Sequence, residues 1–293
     1  MPTEPNIYGV GLHRNMPEEV YHSDPTARVS LSRSMASEML KKSPYHLYGS
    51  NKRLGALHVE PHESTEMDIG SVGHALLLGK GKKIDIGEWD DYKTKDSKEW
   101  REGCREAGRV PILDKHYQAA QAMQKEGLRQ LGIFGLTDEY VAGESEVVGI
   151  WEEGPTLLRC MYDRLTIAES TVTIIDWKVT KTCEKEFLRR QVYRQFYDLQ
   201  CVWYKRGIGA LLPKYAGRIR FLFLFIEREW PYSLVPVELD PESEMVGQMR
   251  FDRALEMWRV GMAKGYWPTY ASEILRLSPP KYALTMEAEE FSE

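Results

Sequence analysis

Clustered cysteines are missing from this sequence. Cys104, Cys160, Cys183 and Cys201 are scattered and form no C-x-x-C pair. That excludes zinc knuckles and iron–sulfur clusters, which need grouped thiolates, and fits reduced thiols inside a cell. No apolar run approaches the roughly 18 residues of a membrane helix, and no secretory leader opens the chain. A soluble cytoplasmic protein without a membrane partner is therefore expected. The glycine signatures of nucleotide binding, G-x-G-x-x-G and G-x-x-x-x-G-K-[ST], are absent, as is the G-x-S-x-G nucleophile elbow. There is no internal repeat and no low-complexity tract. Nor is there a basic excess: 39 Lys and Arg face 44 Asp and Glu, a net charge of -5. Such a balance does not advertise a nucleic-acid binder.

What is present is an ordinary globular composition. The 293 residues are 42% hydrophobic and 28% charged, enough for a core that needs no covalent staples. Charge is unevenly spread. Between Lys181 and Arg206, seven basic residues (Lys181, Lys185, Arg189, Arg190, Arg194, Lys205, Arg206) face Glu184, Glu186 and Asp198, a local charge of +4. Lys80, Lys82 and Lys83 form a second basic group. Phosphate binding depends on local patches of this kind.

Residues 1–29, rich in proline and polar groups, read as an extended arm. Ser32 is a helix N-cap before the apolar spacing of Met35, Met39 and Leu40. Pro44 marks a second helix start, ending near Gly49. His58 and His62 lie in a loop-like stretch and read as exposed histidines rather than ligands. The pattern then predicts a helix over 66–78, with Ile69, Val72, Gly73 and Leu76 as a stripe and His74 beside it. Residues 80–113 read as polar and irregular, with Trp89, Tyr92 and Trp100 marking a lid, a nucleic-acid-facing loop or plain surface. Helices are predicted over 114–131, 184–206 and 241–265, and strands over 146–151, 157–167, 172–179, 218–226 and 233–239. The order gives an α/β fold: a mixed central β-sheet flanked by helices. The core is placed at 30–265 of one domain, with 266–293 as an extended C-terminal segment.

The informative stretch is LLRCMYDRLTIAESTVTIIDWK, Leu157 to Lys178. It reads as two apolar strands joined by a polar turn. Alternate side chains leave a strand on opposite faces, so Asp176 and Lys178 share one. If the strands pair as a hairpin, Asp163 comes near Asp176. Two carboxylates at an apolar hairpin end are costly to bury alone, and a divalent metal would be a partner. D-x-K by itself says little: Asp91-Tyr92-Lys93 and Asp96-Ser97-Lys98 repeat it in polar sequence. Only Asp176-Trp177-Lys178 ends a β-rich run; the other reading there is a salt-bridged strand end.

Five segments in this order resemble the PD-(D/E)xK nuclease superfamily, with its restriction-endonuclease-like core. They are LSRSMASEMLKKSPYHLYG, GSVGHALLLG, CMYDRL, IIDWK and YDLQCVWY, followed by WPTYASEILRLSPPKYA. More narrowly they are similar to the RecE-like phage exonucleases, which share that core with RecB and lambda exonuclease. The resemblance implies metal ligation by Asp163, Asp176, the Trp177 backbone carbonyl and His74, with Mg²⁺ as the ion and Mn²⁺ able to substitute. Histidine suits Mn²⁺ better than Mg²⁺. It implies that Lys178 orients the attacking water, and that Gln200 and Tyr204, four apart on one helical face, brace the site or touch DNA. Glu146 is left open between a ligand through water and a surface residue. The family further implies a 5′ to 3′ exonuclease on double-stranded DNA ends and a homo-oligomer. It would be phage- or prophage-encoded, acting in the bacterial cytoplasm beside a single-strand annealing protein. An endonuclease of the same fold and a non-catalytic DNA-binding subunit are the alternatives. Two departures stand out. Asp176 stands where many members carry glutamate, and the acidic tail after Leu284 has no counterpart.

Overall fold

A computed structural model describes residues 7–55, 65–280 and 282–283. In chain order the elements are β1 (Gly11–His13), α1 (Glu18–His22), β2 (Leu31–Ser32), α2 (Arg33–Lys41), α3 (Pro44–Ser50), α4 (Thr65–Leu78), β3 (Ile84–Gly87), α5 (Lys95–Glu106), β4 (Val110–Leu113), α6 (Asp114–Leu131), α7 (Thr137–Ala142), β5 (Glu144–Glu153), β6 (Thr156–Ile167), β7 (Val172–Thr180), α8 (Lys185–Gln195), α9 (Tyr197–Leu211), β8 (Ile219–Glu227), β9 (Leu234–Val237) and α10 (Pro241–Lys264). Helix starts follow local chemistry. Ser32, Ser43, Thr94 and Asp240 each accept a hydrogen bond from a first-turn backbone N–H, and Pro44 and Pro241 sit where no N–H is needed.

The main sheet runs β1-β5-β6-β7-β8-β9, with β2 paired to β6. Most neighbours are antiparallel; β7–β8 and β2–β6 are parallel. β7 is buried on both faces, which explains why VTIID reads as an unbroken apolar run. A parallel neighbour requires a crossover, and α8 and α9 supply it. Ile174 and Phe223 face a core shared with α2, α9 and α10. Ile175, Trp177 and Leu224 face a second core under α4, α6 and α7. The fold is thus a mixed, mostly antiparallel sheet between two helical layers.

Three readings of the sequence are corrected. The N-terminal stretch is not only an extended arm: β1 pairs with β5 as the sheet edge, and α1 follows it. Residues 84–113 are not irregular: β3 and β4 form a separate parallel pair bridged by α5. Strands this short, with charged residues between them, leave little periodic signal. The predicted helix over 184–206 is two helices, parted at Phe196, whose φ of 58° is left-handed. Neither glycine nor proline marks that break. Tertiary contacts hold it: Arg33 donates to the carbonyls of Gln195 and Phe196 at 3.0 Å each, and Arg250 donates to that of Tyr193 at 3.2 Å. His58, His62 and the tail after Leu284 lie outside the described residues.

α9 is pressed against α10 at Gly247, where an added Cβ would collide with the Asp198 carbonyl. Gly247→Ala should therefore push α9 off its seat and cost on the order of 2 kcal/mol or more. A thermal midpoint equal to wild type would show that the two helices have slack.

Candidate active site

β6 and β7 pair from Ile167↔Val172 to Arg164↔Ile175 and then part. Asp163 and Asp176 are the next residue on each strand, so both carboxylates stand at the fork. Where the ladder ends, the Trp177 N–H donates to Asp163 Oδ2 at 3.1 Å. The same oxygen meets His74 Nε2 from α4 at 2.8 Å. Asp176 is 1% exposed. Its Oδ2 accepts from Gln200 Nε2 of α9, and Lys178, two residues on, pairs with its Oδ1. The sheet thus supplies the charges, and each helical layer sends one side chain to hold a carboxylate.

The electrostatics follow from this packing. Burial raises the Asp176 pKa, and the neighbouring Asp163 raises it further, to about 6, against the pull of Lys178. At Asp163 burial acts the same way. There, however, the charge and hydrogen bond of His74, with help from Lys178 and the Trp177 N–H, win and leave the pKa below the ordinary value. Asp163 in turn raises His74 to about 9 against the effect of burial. Asp176 Oδ1 is buried against the Lys178 ammonium, while Gln200 Oε1 is buried without a hydrogen-bond partner among the described residues. An unsatisfied buried oxygen of this kind costs roughly 1–3 kcal/mol, more when charged. A cation beside it would relieve that cost. Among the described residues no three His, Cys, Asp or Glu side chains converge as a ready-made metal cage. Two neighbouring carboxylates beside an unpartnered amide oxygen still fit Mg²⁺, which keeps several waters and takes only one or two carboxylates from protein.

The other expected residues fall as follows. Tyr204 is buried, edge-on to Tyr162 at 5.3 Å, and its residue also lines the cleft. Gln200, 4% exposed, braces Asp176 and does not face solvent. The Trp177 indole points into the second core, so only its main chain meets the site. Glu146 sits where β5 would face Asp163. Ser145↔Arg164 and Val147↔Tyr162 pair on either side of it, while Glu146 itself has a φ of 55° and stays out of the ladder. A left-handed non-glycine residue inside a strand is strained, and such strain clusters at functional sites. Burial, then Glu18, raises its pKa.

His74, Asp163, Glu146 and Tyr204 open on a cleft of about 690 Å³. Its rim carries Arg33, Lys80, Lys82, Arg105 and Arg109. The lysines were legible as a basic group. Arg105 and Arg109 were not, because the β3–α5–β4 unit that delivers them was read as irregular. Arg33 was hidden behind its role in a helix start. Trp89, Tyr92 and Trp100 pack on one another, with Trp89 and Trp100 centred 5.0 Å apart, and do not line this cleft. Of the basic residues between 181 and 206, Lys205 and Arg206 are paired with Glu244 and Glu153, Lys181 lies between β7 and α8, and the other four belong to α8.

No family model matches the sequence, and no curated protein matches it. The structure is similar to that of a candidate exonuclease from Eubacterium rectale, with a TM-score of 0.57 over 93% of this chain and 99% of that one, at 13% identity. The two share a fold. At that identity the likeness speaks for architecture alone. A second solved structure, SSO0001, overlaps 67% of this chain and 87% of its own at 12% identity, with a TM-score of 0.27 that falls short of a common fold. Among the described residues no helix is long and apolar enough to cross a membrane.

Asp176→Asn tests the electrostatics without any substrate. A carboxyl raised from 3.8 to about 6 is costly to the fold when ionised, above pH 6, and costs nothing below the unfolded value. Asparagine mimics the protonated form. In EDTA at about pH 8 the variant should be more stable than wild type by up to about 3 kcal/mol, and at about pH 4 the gain should vanish. A loss of stability at the higher pH would mean that Lys178 already compensates the charge in full.

Proposed function

We propose that this chain is a metal-dependent nuclease that hydrolyses DNA phosphodiester bonds. One observation carries the reading. Two carboxylates and a lysine are gathered at a strand fork, the carboxylates close enough for Asp163 to raise the pKa of Asp176, and the adjoining cleft has a basic rim. The fold shared with a candidate exonuclease supports it, as does the resemblance to PD-(D/E)xK and RecE-like enzymes.

Asp163 and Asp176 would hold the ion. Bound there, Mg²⁺ or Mn²⁺ would supply a water of lowered pKa and a clamp on phosphate oxygens. The chain's own groups do the rest. Gln200 fixes Asp176 by one oxygen, and the cation would share the other with Lys178. His74 fixes Asp163 and competes for the oxygen that it holds. Lys178, 17% exposed at its side chain, holds an ammonium where it orients the attacking water and offsets charge on the phosphate. The rim arginines and lysines draw the polyanion in. The finer reading is a 5′ to 3′ exonuclease on double-stranded ends. It would work as a homo-oligomer beside an annealing protein in phage-type recombination. This rests on the family resemblance. Net charge of -5 adds one constraint: long runs along DNA would need enclosure of the strand rather than tight binding.

Lys178→Ala and Asp176→Asn should each lower cleavage by on the order of 10²–10³ or more while keeping the wild-type circular dichroism spectrum. Mg²⁺ or Mn²⁺ should support turnover, and Ca²⁺ should support binding with little cleavage. Cleavage that persists in excess EDTA, or a folded and fully active variant, would overturn the assignment.

Strand choice is read from end-labelled linear duplex and covalently closed plasmid incubated together with unlabelled trap DNA. The linear duplex should be shortened from its 5′ ends despite the trap, while the plasmid survives. Nicked or linearised plasmid would favour the endonuclease instead.

A further inference from the structure

From the cleft rim at Arg33, cations and aromatic residues run on in one line. The Lys178 ammonium lies 5.0 Å from the centre of the Tyr197 ring. The Arg33 guanidinium lies 5.9 Å from the same ring. Arg33 then crosses to the end of α8, where it donates to the Gln195 and Phe196 carbonyls. The Phe196 ring is met in turn by Lys41 at 5.1 Å and Arg250 at 3.9 Å. Arg194, exposed, stands in the last turn of the same helix.

Helix capping does not account for so much charge. A helix C-terminus presents about half a negative elementary charge. Asp198 neutralises Arg250 at 2.5 Å. Arg33, Lys41 and Arg194 remain, and among the described residues none of them makes an ion pair with a carboxylate. Burial, then Arg33 and Arg250, lower the Lys41 pKa, so the repulsion is felt. Three cations at a helix end, continuous with the lysine of the site, need an anion that the described residues do not provide. The rings keep the long side chains extended and spaced.

We propose that the ladder Lys178–Tyr197–Arg33–Phe196–Lys41, with Arg194, is a track for the phosphate backbone of duplex DNA leading to the strand fork. It rests on the nuclease reading in taking DNA as the polyanion. The track fixes from which side the duplex reaches the fork, along the α2 and α8 face rather than across the β3–β4 wall.

The test is anisotropy of a fluorescein-labelled duplex in EDTA over a salt series, with wild type, Lys41→Gln/Arg194→Gln and Lys214→Gln/Arg218→Gln. The control pair lies at the far end of the sheet, where Val172 meets Ile219 rather than where Lys178 meets Phe225. Each lost phosphate contact flattens the plot of log affinity against log salt by about 0.9. The ladder variant should lose about 2 in slope and roughly tenfold or more in affinity at low salt, with the control unchanged. Equal slopes in wild type and ladder variant, or equal losses in both variants, would overturn the track while leaving the nuclease reading in place. Wild-type protein that binds no duplex would overturn both.

Discussion

Two like charges buried side by side are the constraint on which the rest depends. Asp163 and Asp176 repel each other in a poorly solvated fork, and the protein splits the problem between them. Asp163 receives a cation and a backbone donor and stays ionised. Asp176 receives one amide and one ammonium and is held at the edge of protonation. Environments that push paired carboxylates apart in acidity are how one site assigns them different duties. Much of the architecture serves this division. α4 exists on one face to bring His74, and α9 on the other to bring Gln200.

The break at Phe196 is part of the same design. Were α8 and α9 one helix, the chain after β7 would leave along a single axis. Tyr197 would then turn away from Lys178, and the carbonyls that fasten Arg33 would be taken up inside the helix. The kink instead seats α9 against the sheet so deeply that Asp198, Leu199, Gln200 and Cys201 are all buried. A lysine flanked by a carboxylate and an aromatic face has little freedom to wander, which is what the proposed orientation of a nucleophile requires.

Legibility in the sequence tracked the range of the interactions. The five strands of the main run, α6 and α10 follow from local pattern and caps, since apolar periodicity and an N-cap are short-range signals. The hairpin placed Asp163 opposite Asp176 because strand register is arithmetic once the turn is known. What could not be read was set across the chain. The Phe196 break is imposed by Arg33 and Arg250. The distortion at Glu146 is visible only as a gap in the ladder. The basic rim is assembled from α2, the stretch after α4, and α5. The role of Gln200 was legible as a site contact, yet only the packing shows that it reaches Asp176 and not solvent.

The turn between β6 and β7 has a consequence for how such chains can diverge. It closes by a hydrogen bond from the Ala168 N–H to the Thr171 carbonyl at 2.9 Å. A slip of one residue in the register of the two strands would swing one carboxylate to the opposite face of the sheet, and a slip of two would carry it out of the fork. The register of Asp163 against Asp176 is therefore frozen, whatever happens to the residues between them. The excursions around β3, α5 and β4 carry no such restriction, and can lengthen, shorten or change composition without touching the fork. A chain that keeps this register can let almost every other position drift and still hold the fork. An architecture can be shared at 13% identity because a fold constrains far fewer positions than a sequence has.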